Sequence, residues 1–163
     1  MKILSLFSLF LLVISNAFAQ EKLPNVVLKD INGNSINLSQ ISNNGKPVII
    51  NFWATWCAPC KRELNTIHEE YKDWVDETGV KLYAISVDDQ RTVDRVKPYI
   101  NASGWEYAVL LDTNGDLKRA MGVNNVPFTF LVDGNGVIVW KHNNYNPGDE
   151  HELYEKVLKM VGK

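Results

Sequence analysis

An apolar run that leads into a pair of cysteines constrains the fold of this chain more than any other feature. Residues 47–54 are apolar apart from Asn51, a pattern typical of a strand buried on both faces of a sheet. Cys57 and Cys60 follow at once. From there apolar side chains recur at spacings of 4, 3, 4 and 3, at Cys60, Leu64, Ile67, Tyr71 and Trp74. This spacing predicts an amphipathic helix that ends at Gly79, and the strand and helix together predict an α/β protein.

The other segments predict a single domain over residues 20–163. Further strands are predicted over residues 26–29, 35–38, 80–87, 107–111, 128–132 and 137–141, and further helices over 92–100, 116–121 and 149–161. Turns rich in Asn, Asp and Gly join the first two strands and the last two, which predicts two hairpins. We expect Pro98 to bend or end its helix. The predicted fold is a central mixed β-sheet flanked by helices, with an N-terminal β-hairpin and an inserted αβ unit over residues 92–111.

The first 19 residues have the pattern of a secretory signal peptide. Lys2 precedes a mostly apolar run over residues 3–14, and the segment closes with Ala17-Phe18-Ala19. We expect cleavage after Ala19 and export to the periplasm or another extracytoplasmic space. The run has about 12 residues, whereas a spanning helix needs roughly 20, so we expect no permanent anchor and a soluble protein after cleavage.

Composition excludes several classes of protein. Apolar residues make up 45% of the chain and charged residues 22%, which is not the composition of a disordered tail or a low-complexity fibre. The net charge of −2 provides no basic field that would attract nucleic acid or an anionic membrane. We therefore expect a globular protein with no nucleic-acid partner, and separately we expect a monomer.

The chain contains only two cysteines, and their spacing points to redox chemistry. Exported proteins meet oxidising conditions in which paired cysteines usually become structural disulfides. Cys57 and Cys60 enclose only two residues, so a bond between them would constrain the unfolded chain very little. The start of a helix favours a thiolate, and Pro59 suits its first turn. We expect Cys57 to be the exposed attacking sulfur and the more buried Cys60 to resolve the mixed disulfide.

Residues 52–61, Phe-Trp-Ala-Thr-Trp-Cys-Ala-Pro-Cys-Lys, resemble the active-site signature of the thioredoxin superfamily. The signal peptide, the N-terminal hairpin, residues 61–64 and the inserted αβ unit narrow the resemblance to exported thiol–disulfide oxidoreductases of the TlpA/ResA type. This resemblance implies protein disulfides or dithiols as substrates and no cofactor beyond the redox-active cysteine pair. It also implies a membrane thiol carrier of the DsbD or CcdA kind as electron donor, and a reducing role on apocytochrome c before haem attachment.

The resemblance also implies further site residues. Val126-Pro127 matches the cis-proline loop that faces the cysteines and offers backbone hydrogen bonds to a substrate, so we expect a cis bond here rather than the usual trans one. Trp56, Ala58 and Pro59 would border the same substrate site.

One helical turn after Cys60, Glu63 matches a glutamate thought to move protons. The alternative is that Glu63 is a solvated helix charge. Ordinary thioredoxins have a buried aspartate where this chain has Asn51, and an amide cannot carry a proton. Trp53 is open to two interpretations, as a residue beside Cys57 or as plain core.

The same residues argue against several other functions. A zinc site needs about four ligands, and His68, His142 and His151 lie far apart in the sequence, so we expect no metal. Covalent haem attachment needs His directly after Cys60, where this chain has Lys61. Peroxiredoxin-like sequences have threonine where this chain has Ala54. Two alternatives stay open: a disulfide-donating oxidant, and a non-catalytic thioredoxin-fold module that only binds.

Overall fold

The computed structural model describes residues 20–163, so the predicted signal peptide lies outside the described residues. The strands are β1 (Val27–Asp30), β2 (Ser35–Asn37), β3 (Val48–Trp53), β4 (Lys81–Ser86), β5 (Ala108–Leu111), β6 (Phe128–Val132) and β7 (Ile138–Asn143). The helices are α1 (Ala58–Thr78), α2 (Val96–Ser103), α3 (Asp116–Ala120) and α4 (Asp149–Met160). The predicted order of strands and helices is confirmed, with ends displaced by a few residues.

All seven strands form one mixed sheet in the order β2-β1-β5-β4-β3-β6-β7. Strand β3 pairs in parallel with β4 and antiparallel with β6, and all of its residues are buried. The N-terminal hairpin extends the sheet because β1 pairs antiparallel with β5. The expected mixed sheet is therefore present, and the strand that leads into the cysteine pair lies inside it.

Side chains of β3 point alternately into two hydrophobic cores, one on each face of the sheet. Ile49 and Trp53 pack with apolar residues of α1, α2 and α4. Val48, Ile50 and Phe52 pack on the other face, in a core that includes residues of α3 and the N-terminal hairpin. Burial on both faces explains why the run is almost entirely apolar, and it holds the carboxyl end of β3 in place.

Helix α1 carries the predicted apolar stripe. Cys60, Leu64 and Ile67 are completely buried, and Trp74 is 1% exposed. The helix ends at Gly79, whose φ of 70° is left-handed and whose N–H donates to the carbonyl of Val75. Glycine adopts this conformation without the Cβ clash of other residues. The stripe therefore holds α1 against the sheet, with its first turn at the end of β3.

One helix differs from the prediction. A 3₁₀ turn covers Val93–Arg95, and α2 then continues to Ser103 and ends at Gly104. Pro98 is the third residue of α2, where its missing N–H has no partner to lose within the helix. Of the two expectations, that Pro98 would bend or end the helix, the second was wrong, since α2 runs through Pro98 to Ser103. None of the helices within residues 20–163 is long and apolar enough to span a bilayer.

Candidate active site

The cysteine pair lies where β3 gives way to α1. Cys57 is the N-cap residue of α1, Ala58 and Pro59 are its first two residues, and Cys57 and Cys60 form a disulfide. The backbone N–H of Cys60 donates to Cys57 Sγ at 3.3 Å. Unpaired N–H groups and the positive end of the helix dipole favour negative charge at this position. The geometry therefore suits a Cys57 thiolate once the disulfide is reduced.

The two cysteines differ in exposure less than expected. Cys57 is only 6% exposed and Cys60 is completely buried, whereas Trp56 is 60% exposed beside them. The expected order is correct, but the description of Cys57 as an exposed sulfur was wrong for the disulfide form. Both cysteines belong to the core on the α1 face of the sheet. Only a small part of Cys57, next to Trp56, is therefore accessible to a substrate.

The Val126-Pro127 loop lies against Cys57. The peptide bond between Val126 and Pro127 is cis, which confirms that expectation. The carbonyl oxygen of Val126 is 3.8 Å from Cys57 Sγ. On the far side of the loop, the N–H of Asn144 donates to the carbonyl of Pro127 at 2.9 Å. Val126 and Cys57 are 69 positions apart in sequence and thus come into contact at the Cys57 sulfur.

Glu63 is buried rather than solvated, which excludes the alternative of an exposed helix charge. It is 4% exposed, and its Oε1 accepts a hydrogen bond from the Thr129 hydroxyl at 2.9 Å. The amide nitrogen of Asn51 donates in turn to the Thr129 oxygen at 2.8 Å. Burial raises the pKa of Glu63 to about 7, although these hydrogen bonds oppose the shift; Asp149 and Glu150 add to it. Residues three apart on a helix have Cβ atoms about 5–6 Å apart, so this carboxyl lies near Cys60.

The structure decides between the two interpretations of Trp53. Its side chain is completely buried, with its ring centroid 4.8 Å from that of Trp105 and 5.7 Å from that of Tyr99. Both partners lie in the inserted αβ unit over residues 92–111. Trp53 is therefore core, and Trp56 is the tryptophan exposed beside Cys57.

Sequence reasoning did not single out Thr129 or Asp88. Thr129 lies opposite Asn51 in the β3–β6 pairing, and that register cannot be deduced from spacing along the chain. Asp88 follows β4 and binds Thr55, just before the cysteines. A polar residue directly after a buried strand was the only available signal for Asp88. Both contacts depend on how strands pair.

Residues 20–163 contain no group of three or more His, Cys, Asp or Glu side chains that could hold a metal ion. His142 pairs with a single carboxylate, that of Asp149, with Nε2 to Oδ2 at 3.1 Å. His68 lies against the Tyr107 ring instead. His151 lies 3.7 Å from Glu150 Oε1, so each histidine has a different neighbour among the described residues.

A mixed sheet flanked by helices, with a Cys-x-x-Cys disulfide at a helix start and a cis-proline loop against it, defines the class of thioredoxin-like proteins with a redox-active pair. Comparison with known proteins agrees. The model of the AhpC/TSA family matches residues 19–141. The chain belongs to this family.

Named relatives are thiol–disulfide proteins. The chain is 37% identical over 116 residues to the thiol-disulfide oxidoreductase ResA of Bacillus subtilis, which covers 71% of this chain and 62% of that protein. It is 30% identical over 148 residues to ResA of Halalkalibacterium halodurans, covering 90% and 79%. Among solved structures, an uncharacterized thioredoxin-like protein from Porphyromonas gingivalis has a TM-score of 0.76 and 52% identity, covering 85% and 91%. The predicted resemblance to the ResA type is confirmed. The chain spans less than two thirds of the length of the Bacillus subtilis relative.

Proposed function

We propose that this protein is an exported thiol–disulfide oxidoreductase that reduces disulfides in other proteins. The observation that carries the proposal is the Cys57–Cys60 disulfide at the start of α1, 3.8 Å from the carbonyl of Val126 in a cis-proline loop. A reactive sulfur at a helix N-terminus combines with an adjacent backbone acceptor for a substrate strand. The named ResA relatives support the same chemistry.

The reaction consists of two exchange steps. In the first, the Cys57 thiolate attacks one sulfur of a substrate disulfide, the substrate S–S bond breaks, and the other substrate sulfur leaves as a thiolate. In the second, Cys60 attacks Cys57 Sγ, which releases the second substrate sulfur and restores the Cys57–Cys60 disulfide. The substrate gains two electrons and the cysteine pair loses them. The pair must then be reduced again before the next cycle.

Glu63 is the base for the second step in this proposal. The Cys60 thiol must lose its proton before it can attack, and Glu63 is the buried carboxyl one helical turn away. A pKa of about 7 suits a group that takes up and gives back a proton near neutral pH. Asn51 cannot replace it, since an amide does not exchange a proton in this way. Asn51 and Thr129 hold the carboxyl in position.

The substrate site in this proposal is the surface around Cys57. The backbone of Val126 and Pro127 would pair with an extended substrate segment, and the half-buried or exposed side chains of Trp56, Ala58 and Pro59 would border it. We assign protein substrates because a backbone acceptor beside a reactive sulfur recognises a peptide. By resemblance to the ResA type, the Cys-x-x-Cys-His segment of apocytochrome c is the substrate we propose.

Insulin reduction by the mature protein tests the activity. We expect turbidity from reduced insulin with the wild-type chain and none above background with Cys57→Ser. Cys60→Ser is the matched control, because it keeps the attacking sulfur but cannot resolve, and we expect it to accumulate a mixed disulfide visible by mass spectrometry. Full activity in Cys57→Ser would contradict the proposal and leave the interpretation as a binding module.

The direction of electron flow is tested by the reduction potential of the pair against glutathione. A reduction potential of about −270 mV, as in thioredoxin, is the expected result and fits a reductase. A reduction potential of about −120 mV would contradict a reducing role and favour a disulfide donor. We propose that a membrane thiol carrier of the DsbD or CcdA kind supplies the electrons, since the disulfide form must be reduced outside the cytoplasm.

Export is the part of the proposal that depends on residues 1–19. We propose that this segment is a signal peptide and that the mature chain begins at Gln20. The intact mass of the protein recovered from the extracytoplasmic fraction should therefore correspond to residues 20–163. Recovery of the uncleaved chain from the cytoplasm would contradict this assignment.

A further inference from the structure

Asp88 is a buried carboxylate that the proposed reaction does not use. It lies two residues beyond the end of β4, and none of its surface is exposed. Its Oδ2 accepts hydrogen bonds from the backbone N–H of Thr55 at 2.8 Å and from the Ser86 hydroxyl at 2.9 Å. Its Oδ1 accepts one from the Thr55 hydroxyl at 2.6 Å. Each oxygen is therefore satisfied, and all three donors are neutral groups.

The negative charge of Asp88 has no counterion in residues 20–163. None of the salt bridges found there involves it, whereas the neighbouring Asp89 has a partly exposed side chain that pairs with Arg91 at 2.6 Å. Burying an unpaired charge costs free energy, which the three hydrogen bonds from Thr55 and Ser86 offset.

The partner of Asp88 is the segment that presents the attacking cysteine. Thr55 precedes Cys57 by two residues, and two residues of chain span at most about 7 Å. Asp88, which follows β4, thus anchors the segment that joins β3 to α1. Its negative charge therefore lies close to Cys57. Little water separates the two, because Asp88 is fully buried and Cys57 is 6% exposed. Charges in such surroundings are weakly screened.

We infer that Asp88 is a positioning residue that holds the Thr55–Trp56 segment and whose negative charge disfavours the Cys57 thiolate. The inference rests on the proposed oxidoreductase function. The helix N-terminus favours the thiolate and Asp88 opposes it. Stabilising the reduced form makes a pair more oxidising, so a charge that destabilises the thiolate makes the pair a better electron donor. Asp88 therefore biases the pair toward donating electrons.

Asparagine at position 88 removes the charge and can keep every hydrogen bond. Its amide oxygen takes the place of Oδ2 and accepts from the Thr55 N–H and the Ser86 hydroxyl. Its amide nitrogen takes the place of Oδ1 and donates to the Thr55 hydroxyl, which can accept as well as donate. Asp88→Asn thus separates the charge from the geometry. Asp89→Asn removes the same charge one residue away on the surface and is the matched control.

The experiment measures the alkylation rate of the reduced mature protein by iodoacetamide, at a pH where the wild-type rate still rises with pH. The Cys57 thiolate displaces iodide: a C–S bond forms, the C–I bond breaks and iodide leaves. The rate follows the thiolate fraction, so we expect Asp88→Asn to react about three- to tenfold faster than wild type. Peptide mass mapping assigns the label to Cys57. We expect Asp89→Asn to stay within about twofold, since its charge is screened by solvent.

A second readout is the equilibrium of the pair with glutathione at a higher pH, where the wild-type alkylation rate has levelled off and reduced Cys57 is a thiolate. We expect Asp88→Asn to shift it toward the dithiol, and a tenfold shift corresponds to about 30 mV. Thr55→Val removes a hydrogen bond but keeps the charge of Asp88. We therefore expect neither a faster alkylation nor a shift of the glutathione equilibrium toward the dithiol in this variant. If Asp88→Asn does not fold, Asp88→Ser removes the charge with a smaller side chain and is judged by the same outcomes.

Two results would overturn the inference. One is an alkylation rate in Asp88→Asn no higher than in wild type. The other is a rate increase in Thr55→Val as large as that in Asp88→Asn, because loosening of the segment would then explain both. Neither result touches the proposed function, since iodoacetamide requires no protein substrate and insulin reduction by the wild-type chain is measured separately.

Discussion

Glu63 owes its chemistry to its surroundings rather than to its residue type. On a helix surface its carboxyl would be ionised at neutral pH, and facing Thr129 in the core it has a pKa raised to about 7 by burial. The Thr129 hydroxyl has one proton. Because Asn51 donates to the hydroxyl oxygen, that proton goes to Glu63 Oε1. When Glu63 is protonated, its own proton is therefore carried by Oε2.

The raised pKa of Glu63 makes stability depend on pH. The unfolded chain loses this proton near pH 4.5 and the folded protein near pH 7, so between these values the folded state binds more protons. Stability must then fall as pH rises across this window and level off above it. The loss from this one group is on the order of 3 kcal/mol.

Glu63→Gln tests this directly, because glutamine keeps the acceptor for Thr129 and cannot ionise. In urea unfolding of the disulfide form at pH 4.5 and pH 8, we expect the wild type to lose more stability than the variant, by up to about 3 kcal/mol. We also expect insulin reduction by Glu63→Gln to fall by about tenfold or more. Equal pH dependence in the two proteins would show that Glu63 titrates normally.

At the scale of elements, the turn between β6 and β7 packs directly on the loop before β3. A Cβ atom on Gly134 would clash with the carbonyl group of Gly45 and would lie 2.6 Å from its Cα. The obstructing atoms are backbone, which cannot rotate away. Glycine at this position therefore allows the turn of the β6–β7 hairpin to pack against the loop that leads into β3.

Gly134→Ala should separate these two loops and destabilise the protein by about 2 kcal/mol. The measurement is urea unfolding followed by circular dichroism. Asn135→Ala in the same turn is the control, because its exposed side chain makes only a long hydrogen bond to Asp133 Oδ2 at 3.5 Å, and we expect a change within about 0.5 kcal/mol. If both variants are equally stable, the two loops are not in the contact described.

Helix α2 illustrates why local signals fail at particular positions. The prediction treated Pro98 as a break, since proline inside a helix removes a hydrogen bond. A 3₁₀ turn over Val93–Arg95 moves the start of α2 to Val96, which places Pro98 in the first turn. Val96 and Ile100 are buried under the sheet, and that packing decides where the helix begins.

At the scale of the whole molecule, the disulfide contributes little to holding the fold together. Both cores are formed by side chains of the sheet and helices, and the bond closes a loop of only three positions in sequence. A redox protein of this kind must keep its fold in both states, since each cycle makes and breaks the bond.

We therefore expect reduction to leave the far-ultraviolet circular dichroism spectrum unchanged and to lower the free energy of unfolding by about 2 kcal/mol. Urea unfolding with and without dithiothreitol measures this. The double variant with Cys57→Ser and Cys60→Ser is the control, and we expect no effect of dithiothreitol on it. Unfolding upon reduction at neutral pH would mean that the pair is structural.

Local sequence patterns predicted the order of strands and helices and the place of the cysteine pair at a helix start. These follow from signals within a few residues, such as the apolar run before Cys57 and the spacing of apolar residues after it. The cis bond before Pro127 was expected from the family resemblance, because the residues alone favour trans. That Trp53 is core, that Glu63 is buried against Thr129 and that Asp88 binds Thr55 became clear from tertiary contacts. Each of these contacts joins β3 or the segments at its end to an element distant in sequence, and the register between strands depends on packing of the whole sheet.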